Sequence, residues 1–205
     1  MKLVILDYNM GNVGSIANMI KKIGYEAEIT RDVERIRSAS KLILPGVGAF
    51  DKAMSNIEEF NLLDLLKQKV TFERVPILGI CLGMQIMTLK SEEGIKNGLG
   101  FINGEVKKFN FADDIKLKVP HMGWNFVHIE KENNLFAGMN EEAMYYFVHS
   151  YHTLCYEKAD MLTTTNYGYD FVSSFTHGNV MGVQFHPEKS HKFGMKLLKN
   201  FIEKF

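Results

Sequence analysis

The sequence predicts an α/β fold: an open, mostly parallel sheet flanked by helices, with additional antiparallel strands in its second half. Three observations carry that prediction. Short β-branched apolar runs alternate with helical periodicities from Lys2 to Leu89, and parallel strands need such helical crossovers. From Gly98 onward the helices give way to closely spaced strand signals punctuated by Gly, Asn and Asp. No repeat, low-complexity tract or linker divides the 205 residues, which predicts one domain over 1–205.

Taken in order, Lys2–Leu6 has the uninterrupted apolar character of a strand buried on both faces. Asp7-Tyr8-Asn9-Met10-Gly11-Asn12 is turn-rich, and Ile16, Met19, Ile20 and Ile23 then recur at helical spacing up to Gly24, a C-cap signal. Tyr25–Thr30 is a second strand, Arg31–Ser38 a short polar helix, and Leu42-Ile43-Leu44 a third strand closed by Pro45-Gly46-Val47-Gly48. One longer helical stripe follows through Phe50, Met54, Ile57, Leu62, Leu65 and Leu66. Val75–Ile80 is the fourth strand, and Met84–Leu89 opens another helix.

Beyond Gly98, strands are expected at 105–109, 124–129, 145–148, 161–165, 171–175 and 180–185. Lys192–Phe205 closes the chain as an amphipathic helix using Phe193, Leu197, Leu198, Phe201 and Ile202.

With 46% hydrophobic and 12% aromatic residues, the chain can build a core without staples. A compact chain of this size has a radius of gyration of about 17 Å and buries roughly 70% of its unfolded surface. Lys+Arg 24 against Asp+Glu 24 leaves no formal charge, so nucleic-acid and membrane-surface binding lose their usual electrostatic signature. Cys81 and Cys155 cannot build a disulfide framework, and the N-terminal apolar run is too short for a signal peptide. No stretch approaches the length of a membrane span. A cytoplasmic protein is expected.

The sharpest chemical feature is Gly79-Ile80-Cys81-Leu82-Gly83, a strand end that opens a helix. That is the context of a nucleophile elbow, where glycines relieve crowding around a side chain held on a tight turn. The helix amides would favour a thiolate at Cys81, and the Leu82 amide would donate to an oxyanion. The same five residues also fit a buried cysteine in a βα turn. Cys155 lacks such a setting and reads as structural.

A thiolate nucleophile needs a proton shuttle. His186 stands at the end of an apolar strand in Phe185-His186-Pro187-Glu188-Lys189-Ser190. Residues two apart in an extended chain share a face, so Glu188 is placed to orient the ring and stabilise imidazolium. Val47 or Gly48, at the carboxyl edge of the third strand, supplies a second oxyanion donor, although a plain strand-to-helix turn would also use those glycines. The absence of Gly-Lys-Ser/Thr argues against a phosphate loop. His149 and His152 lack partners at ligand spacing, so no metal is expected, and they read as packed or surface histidines lining a loop. Cysteine, histidine and glutamate together point to amide hydrolysis through a thioester.

Four motifs occur in the order found in class I (triad) glutamine amidotransferases, which the sequence resembles: Asp7–Asn12, Pro45–Gly48, Gly79–Gln85 and His186–Ser190. Pro120-His121-Met122-Gly123-Trp124-Asn125 and Tyr146-Phe147-Val148-His149-Ser150-Tyr151 resemble in particular the glutaminase subunits of imidazole glycerol phosphate synthases. The resemblance covers essentially the whole chain. It implies Cys81 as nucleophile, His186 as acid/base and Glu188 as its orienting partner, with Leu82, Val47 and Gly48 at the oxyanion hole. Gln85 and Glu93 would hold the backbone charges of glutamine, and Ser150 and Tyr151 would close the site.

The resemblance implies no cofactor. It implies a (β/α)8-barrel synthase subunit that receives the ammonia, a partner this chain is too short to contain. Asn12, Trp124 and Lys189 would face it, and rotation of the Val47-Gly48 peptide on partner binding would make glutamine hydrolysis conditional. In one place the sequence departs from the family: Asn9 stands where glycine is usual, and asparagine tolerates positive φ. Two other readings remain at this stage. One is a sister amidotransferase serving a surface-sugar synthase that forms an amidine; the other is a free-standing γ-glutamyl hydrolase.

Overall fold

Leu3-Val4-Ile5-Leu6 is apolar at every position because both of its faces are covered. Val4 and Leu6 pack into one core with Leu42, Leu44 and Ile77, while Leu3 and Ile5 join Ile43, Leu78 and Ile80 in another. Alternation at period two thus feeds two cores from the same strands. The computed structural model describes residues 2–112, 116–139 and 143–205.

The first half runs β1 (Leu3–Leu6), α1 (Val13–Lys22), β2 (Glu28–Thr30), α2 (Val33–Arg37), β3 (Lys41–Leu44), α3 (Phe50–Glu59), α4 (Leu63–Lys67), β4 (Ile77–Ile80) and α5 (Leu82–Gln85). The second half supplies β5 (Lys90–Ser91), β6 (Gly104–Lys108), β7 (His121–Phe126), β8 (His128–Ile129), β9 (Met144–His149) and β10 (Tyr151–Cys155). It ends with β11 (Met161–Tyr167), β12 (Tyr169–His177), β13 (Val180–Val183) and α6 (His191–Lys204).

The main sheet has the order β2-β1-β3-β4-β13-β12-β10-β6-β5, with β11 branching from β12 to β8. The five strands β2, β1, β3, β4 and β13 are parallel, whereas β12 pairs antiparallel with β13, β10 and β11. That is the predicted fold class. In all four inner parallel strands the chain leaves the carboxyl end into a motif segment: Asp7–Asn12, Pro45–Gly48, Cys81 and His186. The strand register therefore gathers distant motifs at one edge.

β7 and β9 form a separate antiparallel ribbon. Along β7 the side chains of Met122, Trp124 and Phe126 face outward, while His121 is buried. Among the described residues no helix is long and apolar enough to cross a membrane.

Several boundaries differ from expectation. The stripe from Phe50 to Leu66 is two helices, broken where Asn61 adopts φ 57° and the Leu62 amide donates back to the Ile57 carbonyl; asparagine is one of the few residues that turns left-handed readily. The helix expected over Met84–Leu89 stops at Gln85, because the Ile86, Met87 and Thr88 carbonyls accept from the amides of residues 99–102 instead of from a further turn. The strand expected at 124–129 begins at His121 and is interrupted at Val127, whose amide donates to the Ala143 carbonyl. β10 was not foreseen. His149 and His152 consequently do not line a surface loop: they are buried on β9 and β10.

Candidate active site

At the end of β4 the chain enters Cys81 with φ 54° and ψ −112°, a conformation that costs a non-glycine residue about 1–3 kcal/mol. The surrounding backbone enforces it. A Cβ on Gly83 would sit 1.8 Å from the Leu44 carbonyl oxygen, and one on Gly46 would sit 2.6 Å from the Gly83 nitrogen. The elbow and the Pro45–Gly48 loop interlock through bare backbone, and only glycine permits that approach. The helix that follows is a single turn, so its dipole contributes less at Cys81 than a full helix would. The Leu82 amide, expected to face an oxyanion, donates to the Gly46 carbonyl at 3.3 Å.

β13 delivers the other half of the site. His186 Nδ1 lies 2.7 Å from Glu188 Oε1, with side chains 2% and 3% exposed. The two do not share a face of extended chain as expected: Pro187–Lys189 form a 3-10 turn, and that turn folds the carboxylate back onto the ring. The buried Ser190 hydroxyl donates to the His186 carbonyl at 2.6 Å and accepts from the Tyr146 amide at 3.0 Å. It locks the turn to β9.

Burial alone would lower the pKa of His186. The influence of the neighbouring Cys81 and of the hydrogen-bonded Glu188 carboxylate outweighs it and raises the value to about 10, while Nε2 of the ring is buried with no hydrogen-bond partner. The ring is thereby favoured in its imidazolium form. Tyr8, fully buried at the end of β1, has its pKa raised by burial and by the Cys81 charge, and its hydroxyl donates to the Pro45 carbonyl.

A cavity of about 330 Å³ is lined by Val47, Gly48, Cys81, Leu82, Gln85, Glu93, Ser150 and Tyr151, together with Pro120, Val148 and His149. Every residue expected at the nucleophile, oxyanion hole and substrate pocket thus borders one space. A wider hollow of about 600 Å³, lined by Ile129, Asn133 and Phe136 among others, includes none of them.

Two members are already engaged. Gln85 Nε2 donates to the Tyr151 carbonyl and to Gln184 Oε1, each at 2.9 Å, so only its Oε1 remains for a ligand. Glu93 Oε2 accepts from the Phe50 amide at 2.8 Å, capping α3, whose own N-cap residue Ala49 has no side-chain oxygen to offer. Gln184 was overlooked in the sequence. It donates from Nε2 to Cys81 Sγ at 3.7 Å, and its place two residues before His186, on the strand expected over 180–185, is the available signal.

Of the residues expected to face a partner, Trp124 stacks on the His191 ring at 5.3 Å and meets Tyr146 edge-on. Lys189 Nζ lies 5.4 Å above the same Tyr146 ring. Asn12 is exposed and caps α1 by accepting from the Ser15 amide. Asn9 has φ 63°, and its Oδ1 accepts from Arg31. The turn survives without glycine. Among the described residues no group of three or more His, Cys, Asp or Glu is placed to hold a metal ion.

The model of the family described as glutamine amidotransferase class-I matches residues 4–205. The chain belongs to the class I glutamine amidotransferases. This amidotransferase is 54% identical over 201 residues to the imidazole glycerol phosphate synthase subunit HisH 2 of Methanococcus maripaludis, covering 98% of each chain. It is 47% identical to the subunit of the same name from Pseudomonas aeruginosa, again over 98% of each. Among solved structures, PurLQS from Thermotoga maritima superposes on the amidotransferase with TM-score 0.74 at 16% identity, over 98% of each chain. A glutamine amidotransferase from the same organism gives TM-score 0.62 at 18% identity, covering 99% of this chain and 82% of the other.

Proposed function

We propose that this amidotransferase is the glutaminase subunit of an imidazole glycerol phosphate synthase. In this reading it releases ammonia from L-glutamine and passes it to a separate (β/α)8-barrel subunit, which forms imidazole glycerol phosphate and an aminoimidazole carboxamide ribotide. The carrying observation is that Cys81, on its strained elbow, shares one cavity with the expected glutamine-binding side chains, while the buried His186–Glu188 pair offers an imidazole whose Nε2 has no other hydrogen-bond partner. The likeness to relatives named as subunits of that synthase supports the pathway.

In the proposed reaction the Cys81 thiolate attacks the side-chain amide carbon of glutamine. The C–N bond of the tetrahedral adduct breaks as His186 gives its proton to the departing ammonia. Water, deprotonated by His186, then cleaves the thioester to glutamate. Glu188 holds the ring and balances its charge throughout. Oxyanion donation by Leu82 requires its amide to exchange the Gly46 carbonyl for substrate, and rotation of the Gly46–Gly48 peptides, with Gly48 already at φ 110°, is the proposed route. Linking that rotation to partner binding would restrain hydrolysis in the free subunit.

Replacing Cys81 by Ala tests the assignment. Glutamine-dependent synthesis by the complex should vanish while synthesis from ammonium salts persists; loss of both would reduce Cys81 to a structural residue. Asn9, where glycine is usual in the family, leaves a second reading open: ammonia supplied to a different barrel, in a surface-sugar pathway. Which barrel co-purifies with the chain and activates its glutaminase separates the two.

A further inference from the structure

One wall of the glutamine cavity is held by hydrogen-bonding groups that the proposed chemistry does not use. The Tyr151 carbonyl accepts from Gln85 Nε2 at 2.9 Å and lies 2.7 Å from His149 Nδ1. A carbonyl only accepts, so His149 must carry its proton on Nδ1, which leaves Nε2 as an acceptor in the neutral ring. His121 Nδ1 is 3.0 Å from that Nε2 and must therefore donate. The neutral His121 ring then accepts at Nε2, where Asn125 Nδ2 lies at 3.3 Å. Asn125 is itself oriented, since Nδ2 donates to the Asn166 carbonyl and Oδ1 accepts from the Phe126 amide, each at 2.9 Å.

We infer that His121 and His149 are positioning residues: a charge-free, one-directional hydrogen-bond chain that runs from the β7–β9 ribbon to the Tyr151 carbonyl and fixes the wall of the glutamine pocket. The line continues without a break. Gln85, held by that carbonyl, donates to Gln184, and Gln184 donates to the Cys81 sulfur. Its far end starts on β7, whose outward side chains include Trp124. The placement of the ribbon is thereby tied to the pocket wall and the thiol.

The surroundings suit a neutral chain. His121 is stacked between Tyr167, at 4.0 Å, and Phe147, at 4.9 Å, and burial lowers the pKa of His121 to about 4. Burial likewise lowers His149 to about 3, with the nearby histidines adding to the effect against the Tyr151 hydrogen bond. A proton added to either ring would set donor against donor at one of the contacts.

The inference rests on the glutaminase reading for its consequence, but its geometry is testable alone. The His121→Asn change places an amide donor near the position of Nδ1, whereas His121→Phe keeps the stacked ring and loses the donor. In the complex with the barrel partner, His121→Phe should raise the KM for L-glutamine about tenfold with kcat changed less than about threefold, and His121→Asn should recover to within about threefold of the parent. Equal behaviour of the two variants, damaged or undamaged, overturns the inference. Nitrogen-15 NMR of the unmutated chain at neutral pH should find the proton on Nδ1 of both rings; an Nε2 proton or an imidazolium at either overturns it as well. Failure of the unmutated complex to hydrolyse glutamine would refute the glutaminase reading instead, and the tautomers would still decide the chain.

Discussion

Glu188 reaches His186 Nδ1 at 2.7 Å from within a 3-10 turn that begins at Pro187, and Ser190, the residue after that turn, fastens the His186 carbonyl to β9. The carboxylate is thus held by backbone geometry and not only by its attraction to the ring. Removing its charge and removing the imidazole should have different consequences.

His186→Ala deletes the group assigned both proton transfers and should lower kcat for glutamine hydrolysis by at least about 10⁴-fold. Glu188→Gln keeps a carbonyl acceptor for Nδ1–H and should cost at least tenfold less, about 10²–10³-fold. Steady-state glutaminase kinetics of the complex decide this. Equal losses would leave the unit intact, because such residues are non-additive; a Glu188→Gln enzyme weaker than His186→Ala would sink the assignment.

The glycines of the elbow make a second, purely structural prediction. Gly83→Ala drives a Cβ to 1.8 Å from the Leu44 carbonyl oxygen and should destabilise the fold by at least about 3 kcal/mol or prevent its accumulation. Gly14→Ala, on the exposed first turn of α1 with no atom within 4 Å of the added carbon, should instead stabilise by about 0.5 kcal/mol. Urea unfolding of the pair measures both. A tolerated Gly83→Ala would mean that the elbow and the Pro45–Gly48 loop do not interlock.

Much of this site could be read in the sequence because its chemistry is local. Cys81 between two glycines, and His186 two residues from Glu188, each sit in one short segment at a strand end. The parallel strands were readable for a similar reason: residues buried on both faces leave unbroken apolar runs. What was missed depends on distant pairing. Tyr151–Cys155 mixes Tyr, His, Thr, Leu and Cys and becomes a strand only because β6 and β12 flank it. Met122, Trp124 and Phe126 carry the alternation of a core strand, yet they point outward from a ribbon in which β7, among the described residues, pairs with β9 only. The hydrogen-bond chain through His121 and His149 joins residues 28 positions apart, beyond the reach of any local pattern.

Those outward side chains lead to a third prediction. Trp124 stacks on His191 and meets Tyr146 edge-on, over which Lys189 lies, a preorganised aromatic platform on which the proposed barrel subunit would dock. Trp124→Ala should weaken the complex by about 2 kcal/mol, close to thirtyfold in Kd, if it anchors the interface as buried aromatics do. Titration calorimetry with the co-purified barrel measures it. An unchanged Kd would move the docking face away from the ribbon.

Finally, four buried histidines should bend the stability of the free subunit at both ends of the pH scale, with His152, lowered by burial, acting on the acid side alongside His121 and His149. His121 and His149 have native pKa values lowered to about 4 and about 3 from 6.5, burial being the main cause. Below pH 6.5 the unfolded chain therefore binds protons that the native state refuses. Stability should fall with acid, by up to about 1.4 kcal/mol per pH unit for each ring, until the native values are reached. His186 runs the other way. Burial opposes its charge, but Cys81 and Glu188 raise its native pKa to about 10, so its contribution is complete below pH 6.5 and disappears as pH rises through about 10. Urea midpoints measured from pH 4 to 10 should trace a dome. His121→Phe should flatten part of its acid side, and His186→Ala should flatten its alkaline side. Stability that stays level from pH 7 down to pH 4.5 would mean that the ribbon histidines accept protons in place, and the neutral chain at the pocket wall would fall with that result.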